Sequence, residues 1–152
     1  MIEISTKRLI VKTNCTANNG IFEYPPTPEF ISLFNLPPAQ PENSGFAIYL
    51  KSGELIGHID ILFKRKPYEL SVGIHEQYRK QGYMKEAQRA VIKWIFENCR
   101  TSQVTALVGP ITPDASRKLC LNNGFVKTPE GNEEWWILEK TNYKKSSSEM
   151  TI

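Results

Sequence analysis

Apolar residues recur along this chain with two periods, and the switch between them marks out the elements. Arg8 to Thr13 (RLIVKT) is apolar and β-branched and predicts a first strand. Gly45 to Lys51 and Glu54 to Lys64 predict two more, joined as a hairpin at Ser52-Gly53. In the second of these, Leu55, Gly57, Ile59, Ile61 and Phe63 alternate onto one face. His58 and Asp60 fall on the other, facing either solvent or a cleft. Leu70 to His75 predicts a central strand, and Gly73 within it signals a bulge or a close approach of another group. From Gly82 to Cys99 the period becomes helical. Met84, Ala87, Val91, Trp94, Ile95 and Cys99 share one side, and Lys85, Arg89, Lys93 and Glu97 cover the other.

Gln103 to Val108 predicts the next strand. Thr112-Pro113-Asp114 then opens a short helix with Ala115, Leu119 and Cys120 turned inward, closed by Asn123-Gly124 as a left-handed cap. Phe125 to Lys127 and Glu134 to Lys140 form a closing hairpin. Its alternation sends one of Trp135 and Trp136 to the core and the other toward solvent or ligand.

Residues 14–44 differ in kind. They hold six of the ten prolines, Pro25, Pro26, Pro28, Pro37, Pro38 and Pro41. Thr27 as cap and Pro28 at the first helical position predict a helix burying Phe30, Ile31, Leu33 and Phe34, stopped at Pro37-Pro38. The segment is either a packed cover over the core or one wall of a ligand cleft. Antiparallel strands followed by β-α-β then predict an α/β (α+β) fold, a mixed and mostly antiparallel sheet flanked by helices. The expected domain runs over residues 1–140. Residues 141–152, with Lys144-Lys145-Ser146-Ser147-Ser148, form an expected disordered polar tail.

Composition narrows the function classes. At 152 residues the chain is one domain, large enough to bury a core unaided. A net charge of +3 is too mild to point to nucleic acid, and no run of about 18 apolar residues points to a membrane. Cys15, Cys99 and Cys120 are widely spaced, with no CxxC pair for a metal or a disulfide framework. The N-terminus lacks the apolar core of a secretory signal. A cytoplasmic location and no metal are the resulting expectations.

The chemistry concentrates in residues 69–99. A β-branched strand runs into the basic turn Tyr78-Arg79-Lys80-Gln81-Gly82-Tyr83, which opens directly into the amphipathic helix. The first backbone N–H groups of a helix have no internal partner and its dipole favours negative charge, so this is an anion site or, on charge alone, a solvated turn. Neither GxxxxGK[ST] nor GxGxxG occurs, which argues against a nucleotide P-loop or dinucleotide fold.

These residues resemble the GNAT superfamily of acyl-CoA-dependent N-acyltransferases. The family's loop, Arg/Gln-x-x-Gly-x-Gly/Ala, is matched by Arg79-Lys80-Gln81-Gly82-Tyr83-Met84 except at its last position, with Ser116 and Gly124-Phe125 following. The phrases STKRLIVKT, ELIGHIDI and GYMKEA look most like the ribosomal-protein-alanine acetyltransferase branch, and the likeness covers roughly residues 5–140. The resemblance implies acetyl-CoA as donor and, as acceptor, a small-molecule amine or a protein N-terminus, with direct attack in a ternary complex. It implies a pyrophosphate site at Arg79, Lys80, Gln81, Gly82, Tyr83, Met84 and Lys85, and a pantetheine-pairing strand at Val72, Gly73 and Ile74. An N–H of that strand would stabilise the oxyanion.

Glu69 matches a Glu of that branch that acts on the amine. Read from its own position, it is equally an exposed carboxylate at a strand end. Ser116 is the candidate near the CoA sulfur, or a residue that merely bonds within its helix turn. Three positions depart from the pattern: Met84 replaces a small residue, Pro113 an Asn, and Cys120 a Tyr that acts as acid in many relatives. Phe22, Tyr24, Phe30 and one of the tryptophans are expected in the acceptor wall, with Glu23, Glu29, Glu133 and Glu134 as its acidic groups. The protein is expected as a monomer or homodimer. A rival expectation is a non-catalytic acyl-CoA-binding or sensor domain of the same fold.

Overall fold

A computed structural model of the chain describes residues 3–15, 22–23, 43–62, 67–99, 101–110, 112–129 and 131–143. The expected helix after Thr27, the acceptor-wall residues Tyr24, Phe30 and Glu29, the end of the expected strand at Phe63 and Lys64, and the tail from 144 lie outside them.

The strands are β1 (Glu3–Ser5), β2 (Leu9–Cys15), β3 (Phe22–Glu23), β4 (Asn43–Leu50), β5 (Leu55–Leu62), β6 (Tyr68–Ile74), β7 (Gln103–Val108), β8 (Val126–Lys127) and β9 (Glu134–Glu139). The helices are α1 (Tyr83–Asn98) and α2 (Pro113–Asn122), with a single 3-10 turn over Glu76–Tyr78 before α1. The sheet order is β1-β2-β4-β5-β6-β7-β9-β8, with β3 beside β2. Every described pairing is antiparallel except β6 with β7, which α1 connects as a crossover. The mixed, mostly antiparallel sheet expected from the pattern is therefore present. β1 and β3 were not expected, because strands of two or three residues are too short to show a period.

The register decides which side chains meet. Val11 stands opposite Ile48, Phe46 opposite Ile59, and Ile61 opposite Leu70, so these share one face. The buried side of α1, with Ala87, Val91, Ile92, Ile95 and Phe96, belongs to the same core. Burying such side chains contributes about 1.5–3 kcal/mol each before the entropy of ordering is subtracted. Trp94 meets the Phe46 ring edge-on at 5.5 Å, as its expected core role requires. Trp136 is the buried tryptophan and Trp135 the half-buried one.

Three expectations change. Ala115 is exposed, and the inward side of α2 is formed by Ser116, Leu119 and Cys120. Ordered packing continues past residue 140, since Tyr143 stacks against Phe96 at 5.3 Å inside the stretch expected to be tail. The third concerns His58 and Asp60. They do face away from α1, but neither is a surface group: His58 is buried and Asp60 largely so, with His58 Nδ1 3.2 Å from Asp60 Oδ2. Burial pushes the Asp60 carboxyl up, against the opposing pull of His58.

Candidate active site

β6 and β7 run side by side only at Tyr68↔Val104 and Glu69↔Thr105. Past that point they part and leave a cleft of about 360 Å³. Glu69 to Val72 form one wall, Ala106 to Pro110 the other, and Ser116, Leu119 and Cys120 of α2 close one side. Both residues expected to carry chemistry, Glu69 and Ser116, line this cleft. They reach it from opposite faces of the sheet, because Glu69 alternates with Leu70, which faces the helices. Trp135 pairs with Leu107 on the Glu69 side, making it the tryptophan nearer the cleft's open face.

Backbone direction along β6 follows from one bond. The His75 N–H donates to the Ile56 carbonyl on β5 at 2.8 Å, so by alternation Gly73 and Ser71 also bond toward β5. The main-chain groups of Leu70, Val72 and Ile74 point the other way, into the gap left by β7. Val72 therefore presents unladdered strand edge to the cleft, and Ile74 continues that edge beyond the cleft lining. Gly73 does not, and it is not a bulge: β5 and β6 pair without a register shift from Gly57↔Ile74 to Leu62↔Glu69. Gly73 is small for a different reason. A Cβ there would lie 2.2 Å from His58 Nε2, so the glycine makes room for the buried imidazole.

The turn from Glu76 to Gly82 is held in place at both ends. At its start the Tyr78 hydroxyl donates to Glu54 Oε2, and Arg79 Nε donates to the Ile74 carbonyl at 3.3 Å. At its end Arg8 Nη1 donates to the Gln81 carbonyl at 2.9 Å, and Arg8 Nε pairs with Glu86 Oε1 at 2.7 Å. Thr6 Oγ1 and the Arg8 N–H also donate to Glu86 Oε2, and the Arg8 guanidinium lies 4.5 Å over the Tyr83 ring. These donors hold the Glu86 carboxyl below the usual range against the cost of its burial. Arg8, Thr6 and Glu86 were not expected here. No local pattern marks a contact across 78 residues.

Between these anchors Lys80 takes φ 63 and Gly82 φ 79, both left-handed. Lys80 in that conformation is strained, as backbone at binding sites often is. Gly82 caps α1 with no side-chain bond, and the first ladder bond of the helix is Glu86 N–H to the Gly82 carbonyl at 3.1 Å. The N–H groups of Tyr83, Met84 and Lys85 therefore precede the ladder and stay open to an anion. Arg79, Lys80 and Gln81 are exposed, and Lys85 is half-buried. Met84 does not obstruct the turn, since its side chain packs on the core.

Pro113 sits in the first turn of α2 behind the cap Thr112. Asp114 is fully exposed and pairs with Arg117 at 3.3 Å. Glu134, a candidate acidic group of the acceptor wall, is held in an ion pair. Arg117 and the Trp136 indole N–H hold it at 2.8 and 2.9 Å and lower its pKa to about 2. The Cys120 thiol is buried, and its pKa is pushed up to about 12 by desolvation first and the nearby Glu134 second. Cys99 is half-buried and also raised by burial. Among the described residues no His, Cys, Asp or Glu cluster fits a metal, and no helix is long and apolar enough to cross a membrane.

The family model described as an acetyltransferase (GNAT) domain matches residues 25–126. No curated protein matches the sequence. Among solved structures, an acetyltransferase from Agrobacterium tumefaciens superposes with TM-score 0.65 at 20% identity, covering 91% of this chain and 95% of that one. A ribosomal-protein-S5-alanine acetyltransferase from Vibrio fischeri gives 0.67 at 13% identity, covering 94% and 99%. A spermidine N-acetyltransferase from Vibrio cholerae gives 0.59 at 16%, covering 70% and 69%.

Proposed function

The chain belongs to the GNAT acetyltransferase family, and we propose that it moves an acetyl group from acetyl-CoA to a primary amine by direct attack in a ternary complex. The observation that carries this reading is the parting of β6 and β7 beyond Glu69↔Thr105, with the open helix start of α1 at one end of the gap. In the proposed complex the pyrophosphate is held by the N–H groups from Tyr83 to Lys85, with Arg79 and Lys80 adding positive charge. Gly82 lets the backbone come close. The pantetheine arm pairs along Val72 and Ile74 as a short extra strand.

The two faces of the cleft take separate tasks. The amine approaches from the Glu69 side, and Glu69 removes an ammonium proton directly or through one water. The amine lone pair attacks the thioester carbonyl carbon, and a main-chain N–H of β6 steadies the oxyanion. The C–S bond then breaks, the electron pair leaves with the CoA sulfur, the acylated nitrogen sheds its extra proton to water, and Ser116 on the helix side hydrogen-bonds the thiolate until it takes up a proton from water. Cys120 takes no part, since a thiol with a pKa of about 12 stays neutral and is a poor proton donor. The branch likeness and the S5-alanine enzyme among the structural neighbours favour a protein N-terminus as the first acceptor to try.

The test is thiol release from acetyl-CoA with a panel of amines, including an N-terminal peptide, a polyamine and an amino acid. Release with one class identifies the acceptor. A second reading, a non-catalytic acyl-CoA-binding domain, is favoured by the buried Cys120 where many relatives carry an acidic Tyr hydroxyl. CoA binding without turnover on any amine, unaltered by Glu69→Gln, selects it.

A further inference from the structure

Gln88 is a polar residue in the apolar side of α1, between Met84 and Val91, and only 2% of it is exposed. Its orientation is fixed by a chain of hydrogen bonds that starts at the surface. Arg89 has only donors. Its Nε bonds Asn123 Oδ1 at 3.0 Å and its Nη2 bonds the Asn122 carbonyl at 3.0 Å. Asn123 therefore turns Nδ2 inward, where it donates to Gln88 Oε1 at 2.6 Å. With its oxygen committed to Asn123, Gln88 turns its amide nitrogen away from that residue, and Gln88 forms part of the wall of the β6–β7 cleft. Among the described residues no acceptor meets that nitrogen. Its neighbours on the wall include Leu70, Val72, Leu119 and Cys120, whose side chains are poor acceptors. An amide donor without a protein acceptor on the wall of a cleft is available to an acceptor on a ligand.

We propose that Gln88 is a binding residue for the acyl-pantetheine arm, its Nε2 amide donating to a carbonyl oxygen of an amide or the thioester. This rests on the acyl-CoA reading of the cleft. A neutral donor suits a carbonyl, whereas the phosphates belong at the basic helix start, whose residues do not line this cleft. Arg89 and Asn123 are then positioning residues. They keep the amide from flipping and so keep a donor, not an acceptor, toward the ligand.

Calorimetry with two ligands tests this: acetyl-CoA, and adenosine 3′-phosphate 5′-diphosphate, which keeps the phosphates and lacks the arm. Gln88→Met preserves size and removes the donor. It is expected to weaken acetyl-CoA roughly tenfold, the worth of one neutral hydrogen bond, and to leave the arm-less ligand unchanged. Equal loss of both ligands, or loss of neither, overturns the proposal. Gln88→Glu keeps an oxygen for Asn123 and replaces the donor with a group that donates only while protonated. Its acetyl-CoA affinity is expected to fall as pH rises from about 6 to about 9, because burial raises the carboxyl pKa into that range. Glu69 on β6 and Cys120 on α2 are the other titratable groups on the cleft wall, so the profile is taken relative to the unmodified protein. A flat profile at full affinity overturns the proposal. Unmodified protein that binds neither ligand overturns the acyl-CoA reading and this one with it, while binding that Gln88→Met leaves intact removes only the role of Gln88.

Discussion

Glu69 and Thr105 are the last pair that β6 and β7 hold in register. Thr105 is buried and its hydroxyl donates to the Tyr68 carbonyl at 3.3 Å, which closes the apex of the cleft. Glu69 stands beside it, half-buried, where the gap begins. In the proposed complex, a carboxylate at that apex would meet the amine without blocking the cofactor arm. Glu69→Gln is expected to lower the rate of acetyl transfer roughly a hundredfold while acetyl-CoA affinity stays unchanged. Thiol release and calorimetry on the same preparation check both halves, and an undiminished rate would assign the base to another group.

Gly82 separates two effects. Its φ of 79 makes Gly82→Ala cost about 1 kcal/mol in stability, from the left-handed strain alone. CoA should still raise the melting temperature of that variant. Gly82→Glu puts bulk and negative charge at the helix start and should abolish the CoA-induced shift. A shift retained in Gly82→Glu would mean that the phosphates sit elsewhere.

Gly73 and His58 form a coupled pair. The Cβ of Gly73→Ala would lie 2.2 Å from His58 Nε2, so the imidazole or the strand must move. The expected cost is about 1–3 kcal/mol, the usual range for overpacking. His58→Ala in the same chain should recover part of that loss, a non-additivity that denaturant titration of the double-mutant cycle measures.

Glu134 sets part of the acid limit. Its folded pKa is lowered from 4.5 to about 2 by Arg117 first, so the ion pair adds stability above about pH 4.5 and loses it as pH falls toward about 2. Glu134→Gln should flatten the acid side of a melting-temperature profile between those limits and leave the alkaline side unchanged.

Cys120 should be inert. With its thiol pushed up to about 12, alkylating reagents at about pH 8 should leave it unmodified in the folded protein and label it on unfolding. Cys120→Ala should retain acetyl transfer, at a modest cost in stability from the small cavity. Loss of activity in a folded Cys120→Ala protein would restore the thiol as a participant.

The sequence by itself determined the long elements and the glycine-opened start of α1. Both rest on local physics: the alternation in Leu55–Leu62, the helical spacing from Met84 to Cys99, and a glycine opening a helix behind a basic turn. Period and cap chemistry act over a few residues, so they are legible without a fold. Even Gln88 left a trace, as a polar residue in the stripe of Met84, Val91 and Ile95. Tertiary structure alone decided which groups meet. It decided between the two readings of Gly73, a bulge or a close approach, in favour of the close approach to His58, bound Glu134 to Arg117, and held the turn before α1 with Arg8 and Glu86 from distant parts of the chain. It also parted β6 from β7 just past Glu69, so that Glu69 and Ser116 line one cleft from opposite faces. Those outcomes depend on strand register and on contacts between residues far apart in the chain, which no local period encodes.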